Sequence, residues 1–202
     1  MISKSYLIEG KIENLKSNIS LFYGENLGLI NDFKEEIKTK NNHIFKFSQE
    51  DILSEKSSFH SDLQTDSLFE NRKTFFIDNC NDKILHIIED IIPQLDRNKV
   101  FLFSSNLEKK SKLRKFFETN KNVNVVPCYK DNSLSLKKLL LNNLKDFSGL
   151  SSSAINLILE ICNNDRAKLR NEINKIRVFF SKRIINLDQL AKLLNFSEQD
   201  DF

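Results

Sequence analysis

The stretch "ISLFYGENLGLINDF", Ile19 to Phe33, decides the fold. Ile19–Tyr23 is a short apolar run of strand character that stops at Gly24. Leu29, Ile30, Phe33 and Ile37 then follow at helical spacing. Strand, tight turn and helix recur along the next hundred residues. Four further β-like runs stand out: "HIFKF" (43–47), "KTFFID" (73–78), "KVFLFS" (99–104) and "VNVVP" (123–127). Ile84, Leu85, Ile87, Ile88, Ile91 and Ile92 make a helical pattern between the third and fourth, and Leu113, Phe116 and Phe117 another between the fourth and fifth. Crossovers of this length permit parallel pairing, so an α/β domain with a mostly parallel five-stranded sheet flanked by helices is expected.

Beyond Pro127 the pattern becomes helical. "SLSLKKLLLNNLKDF" leads away as a helix, and "SGLSSS" (148–153) supplies a break and N-cap candidates. Three amphipathic stripes follow: Ala154, Ile155, Ile158, Leu159 and Cys162; Leu169, Ile173, Ile176 and Phe180; Leu187, Leu190, Ala191 and Leu194. The expected division is residues 1–142 for the α/β domain and 143–202 for a small three-helix domain, with the seam near 131–150.

Composition bounds the function. A formal net charge of +3 over 202 residues is too small to argue for nucleic acid by itself. Cys80, Cys128 and Cys162 are scattered and lack C-x-x-C spacing, which suggests neither zinc nor a disulfide framework. His43, His60 and His86 have no partners at metal-ligand spacing. No apolar run approaches the roughly 20 residues that span a bilayer, and the N-terminus has no signal-peptide core. A soluble, cytoplasmic protein with no membrane association is expected. Seventeen Phe and no Trp predict a Phe-rich core.

In such a sheet the turn after the first strand is where a nucleotide phosphate would bind. A phosphate loop needs G-x-x-x-x-G-K-[ST]. Here Gly24 and Gly28 have three residues between them instead of four, and Leu29 and Ile30 stand where Lys and Ser/Thr are required. Glu25 adds a repelling carboxylate. At the end of the third strand Asp78 stands in the magnesium position, but Asn79 cannot act as a general base. "FSSN", Phe103 to Asn106, puts polar groups where a γ-phosphate sensor would sit. The parts of an ATPase are in position with the chemistry missing.

Before the third strand, "SLFENRK" raises a separate question. Leu68 and Phe69 fall where a helix should end and a turn begin. From the residues alone two readings stand: the pair closes the core over "KTFFID", or it protrudes as an apolar anchor.

"LFYGENLGLIND", "SLFENRKTFFID", "KVFLFSSNLEKKSKLRKFFE" and "LSSSAINLILEICNNDRAKLRNEINKI", in that order and spacing, resemble the δ subunit of the bacterial DNA polymerase III clamp loader. That family is AAA+-like and does not hydrolyse ATP. The last string is similar to its lid-domain pattern, an acidic-amide turn followed by L-x-x-E-[IL]-x-K-[IL]. The resemblance implies an AAA+-like sheet with a three-helix lid, no intrinsic ATPase, and no cofactor or metal. Catalytic residues are then absent, although the holoenzyme as a whole is classed with DNA-directed DNA polymerase.

It also implies that Ser67, Leu68 and Phe69 bind the β sliding clamp as a wedge that helps to open the ring during replication. Asn71, Arg72 and Lys73 would form the polar rim. Lys109, Lys110 and Lys112 are candidate contacts to primed DNA, against the plainer reading of a solvated helix face. Lys137, Lys138, Arg166, Lys168 and Arg170 carry the same two readings. The implied partners are the clamp and the gamma/tau and delta-prime subunits. Family members carry a third, collar domain; this sequence stops at Asn195–Phe202, about where it would begin, as in a fragment, an excised piece or a naturally short variant. Assembly with the motor subunits would be weakened, leaving a monomer able to bind the clamp but not to load it alone. The alternatives are a delta-prime-like subunit, whose Ser-Arg-Cys motif is missing from "FSSN", and a divergent AAA+ ATPase, which would need a catalytic Lys after Gly28.

Overall fold

The computed structural model describes residues 2–41, 43–64 and 72–195. The chain divides into two compact units, Met1–Tyr129 and Lys130–Phe202. The first holds strands β1 (Ile19–Tyr23), β2 (Ile44–Ser48), β3 (Thr74–Asp78), β4 (Lys99–Ser104) and β5 (Asn124–Pro127), with helices α1 (Ser5–Ile8), α2 (Leu27–Thr39), α3 (Gln49–Ser54), α4 (Lys56–Gln64), α5 (Leu85–Ile91) and α6 (Lys112–Thr119). The second holds α7 (Ser133–Asn143), α8 (Ser152–Cys162), α9 (Arg166–Phe179) and α10 (Leu187–Asn195).

All five strands are parallel, in the order β2-β3-β4-β1-β5. This is the α/β sheet that the alternation predicts. The order also sorts the helices. From β1 the chain steps outward past β4 and β3 to reach β2, and every later step runs back the other way. Right-handed crossovers then place α2 on one face and the later helices on the opposite one. The packing agrees. Phe22, Phe76, Phe101 and Phe103 share a cluster with Leu29, Ile30, Phe33 and Ile37 of α2. Leu21, Tyr23, Phe75, Ile77, Val100 and Leu102 pack instead with Ile52, Phe59, Ile87, Ile88, Leu113 and Phe117 from α3 to α6. Alternate residues of each strand face opposite sides, so a run apolar at every position is a strand covered on both faces.

The Phe-rich composition is used on the α2 face. The Phe22 ring lies 4.9 Å from Phe33 and 5.5 Å from Phe103, and Phe76 meets Phe103 edge-on at 5.0 Å. Between β2 and β3 the structure adds α3, whose start is a reciprocal cap. The Ser48 hydroxyl accepts from the Asp51 N–H, and the Asp51 carboxylate accepts from the Ser48 N–H.

In the second unit Leu136, Leu140 and Leu144 share one core with Ile155, Ile158, Leu169, Ile173, Ile176, Leu190 and Leu194. Helix α7 therefore belongs to a four-helix unit that begins at residue 130, earlier than the boundary at 142/143 expected from sequence. Its apolar stripe finds its complement in α8 and α9. A buried ion pair anchors the entry to this unit. Arg166 Nη1 donates to both Asp131 carboxylate oxygens at 3.0 and 3.1 Å, with side chains only 3% and 6% exposed.

Candidate functional site

In an open parallel sheet, ligands bind beyond the carboxyl ends of the strands where the strand order reverses. Here β1 lies between β4 and β5, so the crevice is lined by the loop after Tyr23 and by the ends of β3, β4 and β5. That loop is already occupied by its own chain. The Gly24 N–H donates to Ser105 O at 3.2 Å, and the Asn26 N–H to Cys128 O at 3.1 Å. The Asn26 side chain caps α2 by accepting from the Leu29 N–H at 3.0 Å, and its amide donates to Tyr129 O. Gly24 holds φ at +146°, and a Cβ there would lie 2.1 Å from the Cys128 carbonyl oxygen. Glycine is required because β5 exits directly over the turn. Of the amide donors that would cradle a phosphate at a helix start, those of Gly24 and Asn26 are closed onto the neighbouring strand ends and that of Leu29 onto the Asn26 cap.

The other ATPase-like positions are likewise engaged. Lys34, from the second turn of α2, donates to Asp78 Oδ1 at 2.6 Å and sits 4.7 Å from the Phe103 ring centre. The carboxylate in the magnesium position is thus neutralised by a lysine of the same unit. The Ser104 hydroxyl, at the sensor position, donates to Cys80 O at 2.6 Å and is buried. The Cys80 N–H in turn donates to Phe103 O. Asn79 takes the left-handed conformation, φ 58°, that makes this bend. Sequence reasoning identified Asp78 and Ser104 by position but missed Lys34. Its only sequence signal is that it lies one turn beyond Ile30 on a helix whose start abuts the crevice.

On the other face Tyr23 closes the sheet end. Its hydroxyl donates to Glu118 Oε1 at 2.9 Å, and Arg114 donates to the same oxygen at 2.8 Å while covering the Tyr23 ring. Burial first, then the hydrogen bond to Glu118, pushes the Tyr23 hydroxyl far above its ordinary range. Arg114, one of the cations of "LEKKSKLRKFFE", is therefore a structural group. Lys109, Lys110 and Lys112 are exposed, on the loop after β4 and at the first position of α6. Lys110 pairs with Glu108 at 2.9 Å in an exposed contact. Asp82 fixes this segment from the turn before α5: it accepts from the Ser111 hydroxyl at 2.5 Å and the Leu113 N–H at 3.0 Å. The Ser111 bond, above all, holds the Asp82 carboxyl below its usual value.

Ser67, Leu68, Phe69 and Asn71 lie outside the described residues. The residues on either side of them lie at the amino edge of the sheet. Leu63 O at the end of α4 accepts from the Asn98 amide at 3.0 Å, while Asn98 Oδ1 accepts from the Lys73 N–H at 2.9 Å. Lys73 was expected at a polar rim. Instead it is 8% exposed, and its ammonium donates to Asp62 O at 2.8 Å and lies over the Phe45 ring. A cation at the carbonyl end of α4 is favourable for the helix dipole, which explains its inward turn. Arg72 is exposed.

In the second unit Arg166 is withdrawn from any surface cluster by Asp131, and Arg170 donates to Asn143 Oδ1 at 3.1 Å. Lys137, Lys138 and Lys168 are exposed. Among the described residues no group of three or more His, Cys, Asp or Glu could hold a metal ion. No described helix is long and apolar enough to cross a membrane.

No protein-family model matches the chain, and no curated protein matches its sequence. Solved structures do match in fold. The Bacillus subtilis DNA clamp loader delta protein, 17% identical, superposes with a TM-score of 0.63 over 94% of this chain and 61% of its own. The Thermotoga maritima RuvB Holliday junction branch migration motor, 18% identical, gives 0.57 over 95% of this chain and 66% of its own. A point variant of the same RuvB, 15% identical, gives 0.56 over 95% of this chain and 65% of its own. The chain spans under two thirds of the length of these neighbours. The fold is AAA+-like: a parallel five-stranded sheet flanked by helices, with a helical unit after it.

Proposed function

We propose that the chain is a non-catalytic clamp-loader subunit of the delta kind, which grips a β sliding clamp through Ser67, Leu68 and Phe69 and helps to open it onto primed DNA. One observation carries the reading. In an AAA+-like sheet, the turn amides, the Asp78 carboxylate and the Ser104 hydroxyl are engaged by the chain's own groups. The likeness to a clamp loader delta protein along 94% of the chain supports it.

The anchoring of Leu63 and Lys73 at the amino edge gives the intervening segment a fixed base. Leu68 and Phe69 could each contribute about 1.5–3 kcal/mol when buried in a partner pocket. Gamma/tau and delta-prime subunits are the proposed assembly partners. Lys109, Lys110 and Lys112 are the proposed contacts to DNA phosphates, to be checked by whether their joint change to Gln flattens the salt dependence of primed-DNA binding.

The decisive experiment is a pull-down against β clamp with Leu68→Ala/Phe69→Ala. Loss of capture with an unchanged melting temperature is expected. Undiminished capture removes the site assignment. The second reading, a divergent AAA+ ATPase, draws on the likeness to the RuvB motor. It requires calorimetric binding of magnesium-ATP, which the leading reading expects to be undetectable.

A further inference from the structure

The second unit carries a groove of about 1160 Å³ along α9. Ile161 at the end of α8 and Leu193 of α10 line it, together with Val178 and Phe179, which stay 81% and 53% exposed. Phe179 packs edge-on against the buried Phe180 ring, 4.9 Å away. The charge that the groove presents to water is positive. Lys168 and Lys175 are exposed. Glu172 is buried, and its Oε1 accepts from Lys175 Nζ at 2.8 Å.

The sequence around the groove leans the same way and then reverses. Residues 130–195 hold twelve Lys and Arg against six Asp and Glu. Residues 196–202, "FSEQDDF", come next, directly after α10 and outside the described residues. They carry Glu198, Asp200 and Asp201 with no Lys or Arg, between Phe196 and Phe202. An apolar surface beside exposed lysines is thus followed in the same chain by an acidic stretch bounded by two phenylalanines, complementary in both respects. The lengths agree as well. The α9 positions that line the groove run from Lys168 to Phe179, about 16 Å at the helical rise. Seven extended residues span up to about 23 Å, and they begin three positions after Leu193, itself a lining residue.

We propose that residues 196–202 dock in this groove of their own unit, the phenylalanines covering the exposed apolar side chains and the carboxylates meeting Lys168 and Lys175. Exposed ion pairs contribute little each, so ring burial holds the segment while charge selects it. Attachment next to the groove keeps the segment at a local concentration of about millimolar, at which weak contacts suffice. Whatever displaces the segment uncovers a basic, apolar groove for another protein. The inference concerns the second unit alone and does not depend on the clamp reading.

The sequence has no Trp, so Phe202→Trp in the full chain gives a single fluorescent reporter. Its emission should lie to the blue of the isolated 196–202 peptide carrying the same change, and acrylamide should quench it at least about threefold less, since a docked indole is shielded from water. Val178→Asp, at a position 81% exposed in the fold, should restore peptide-like quenching. Lys168→Glu should lower the docked-to-free ratio by about two- to fivefold, and Asp200→Lys/Asp201→Lys in the same chain should recover it. Peptide-like emission from the reporter overturns the proposal and leaves the groove to a separate partner. Protection that Val178→Asp does not change places the segment elsewhere and overturns it too. So do a Lys168→Glu loss that the reversed segment fails to recover, and protection that disappears on dilution, which would assign the groove to a second copy of the chain.

Discussion

The two edges of one parallel sheet have been built for different ends. At the carboxyl edge, the turn amides, Asp78 and Ser104 are paired with groups of the same unit, and Gly24 lies against Cys128 with no room for a methyl group. At the amino edge, amides and a buried lysine tie strand starts to the end of α4, so that the chain departs at Gln64 and returns at Arg72 from fixed points. An edge that elsewhere binds a ligand has become part of the framework, and the opposite edge is the base of the segment proposed to grip the clamp. Internal partners at this end keep the strand ends and the turn tied together without any ligand.

Four substitutions test that contrast, in falling order of effect. Gly24→Ala should be the most damaging, by about 3 kcal/mol or more, since the methyl group would collide with backbone and φ is in the glycine region. Urea denaturation measures it, and a loss under about 1 kcal/mol would show that β5 can move away from the turn. Lys73→Met should cost about 1–3 kcal/mol by leaving the Asp62 carbonyl without its donor. An unchanged denaturation midpoint would mean that the amino edge is not anchored as described.

Asp78→Asn should cost only about 0–1 kcal/mol, because the Lys34 pair is partly exposed at 21% and 39%. On the proposed function, it should also leave magnesium-ATP binding undetectable; nucleotide binding gained by the variant would show that the pair had been masking a working crevice. The smallest effect is one of pH. The folded state holds the Asp82 carboxyl below its ordinary 3.8, so its contribution is present above that value and disappears as pH falls through the lowered one. The melting-temperature gap between parent and Asp82→Asn should be widest near neutral pH and shrink below pH 3.8. A gap independent of pH would assign the effect to shape rather than charge.

What could be read in advance was local. The strand runs ended within a residue or so of the observed strands, because a run apolar on both faces has no other stable home than a covered sheet. Gly24 marked the turn, and the gaps in the phosphate loop were visible as letters. Helix α7 was legible as a helix leading away from the sheet, but which core it joins was not, since its leucines are equally apolar in either. Lys73 was placed at the surface because lysine usually is, and only the carbonyl end of α4 beside it explains its burial.

By itself, then, the order of residues determined the element types, the α/β class and the absence of a phosphate-loop signature. Each of these follows from periodicity or from the chemistry of a few neighbours in the chain. Tertiary structure alone decided the strand order, the pairing of Lys34 with a carboxylate 44 positions away, the closure of Ser104 onto Cys80, and the burial of Arg166 against Asp131. Those depend on which groups folding brings within hydrogen-bond reach, and separation along the chain carries no trace of it.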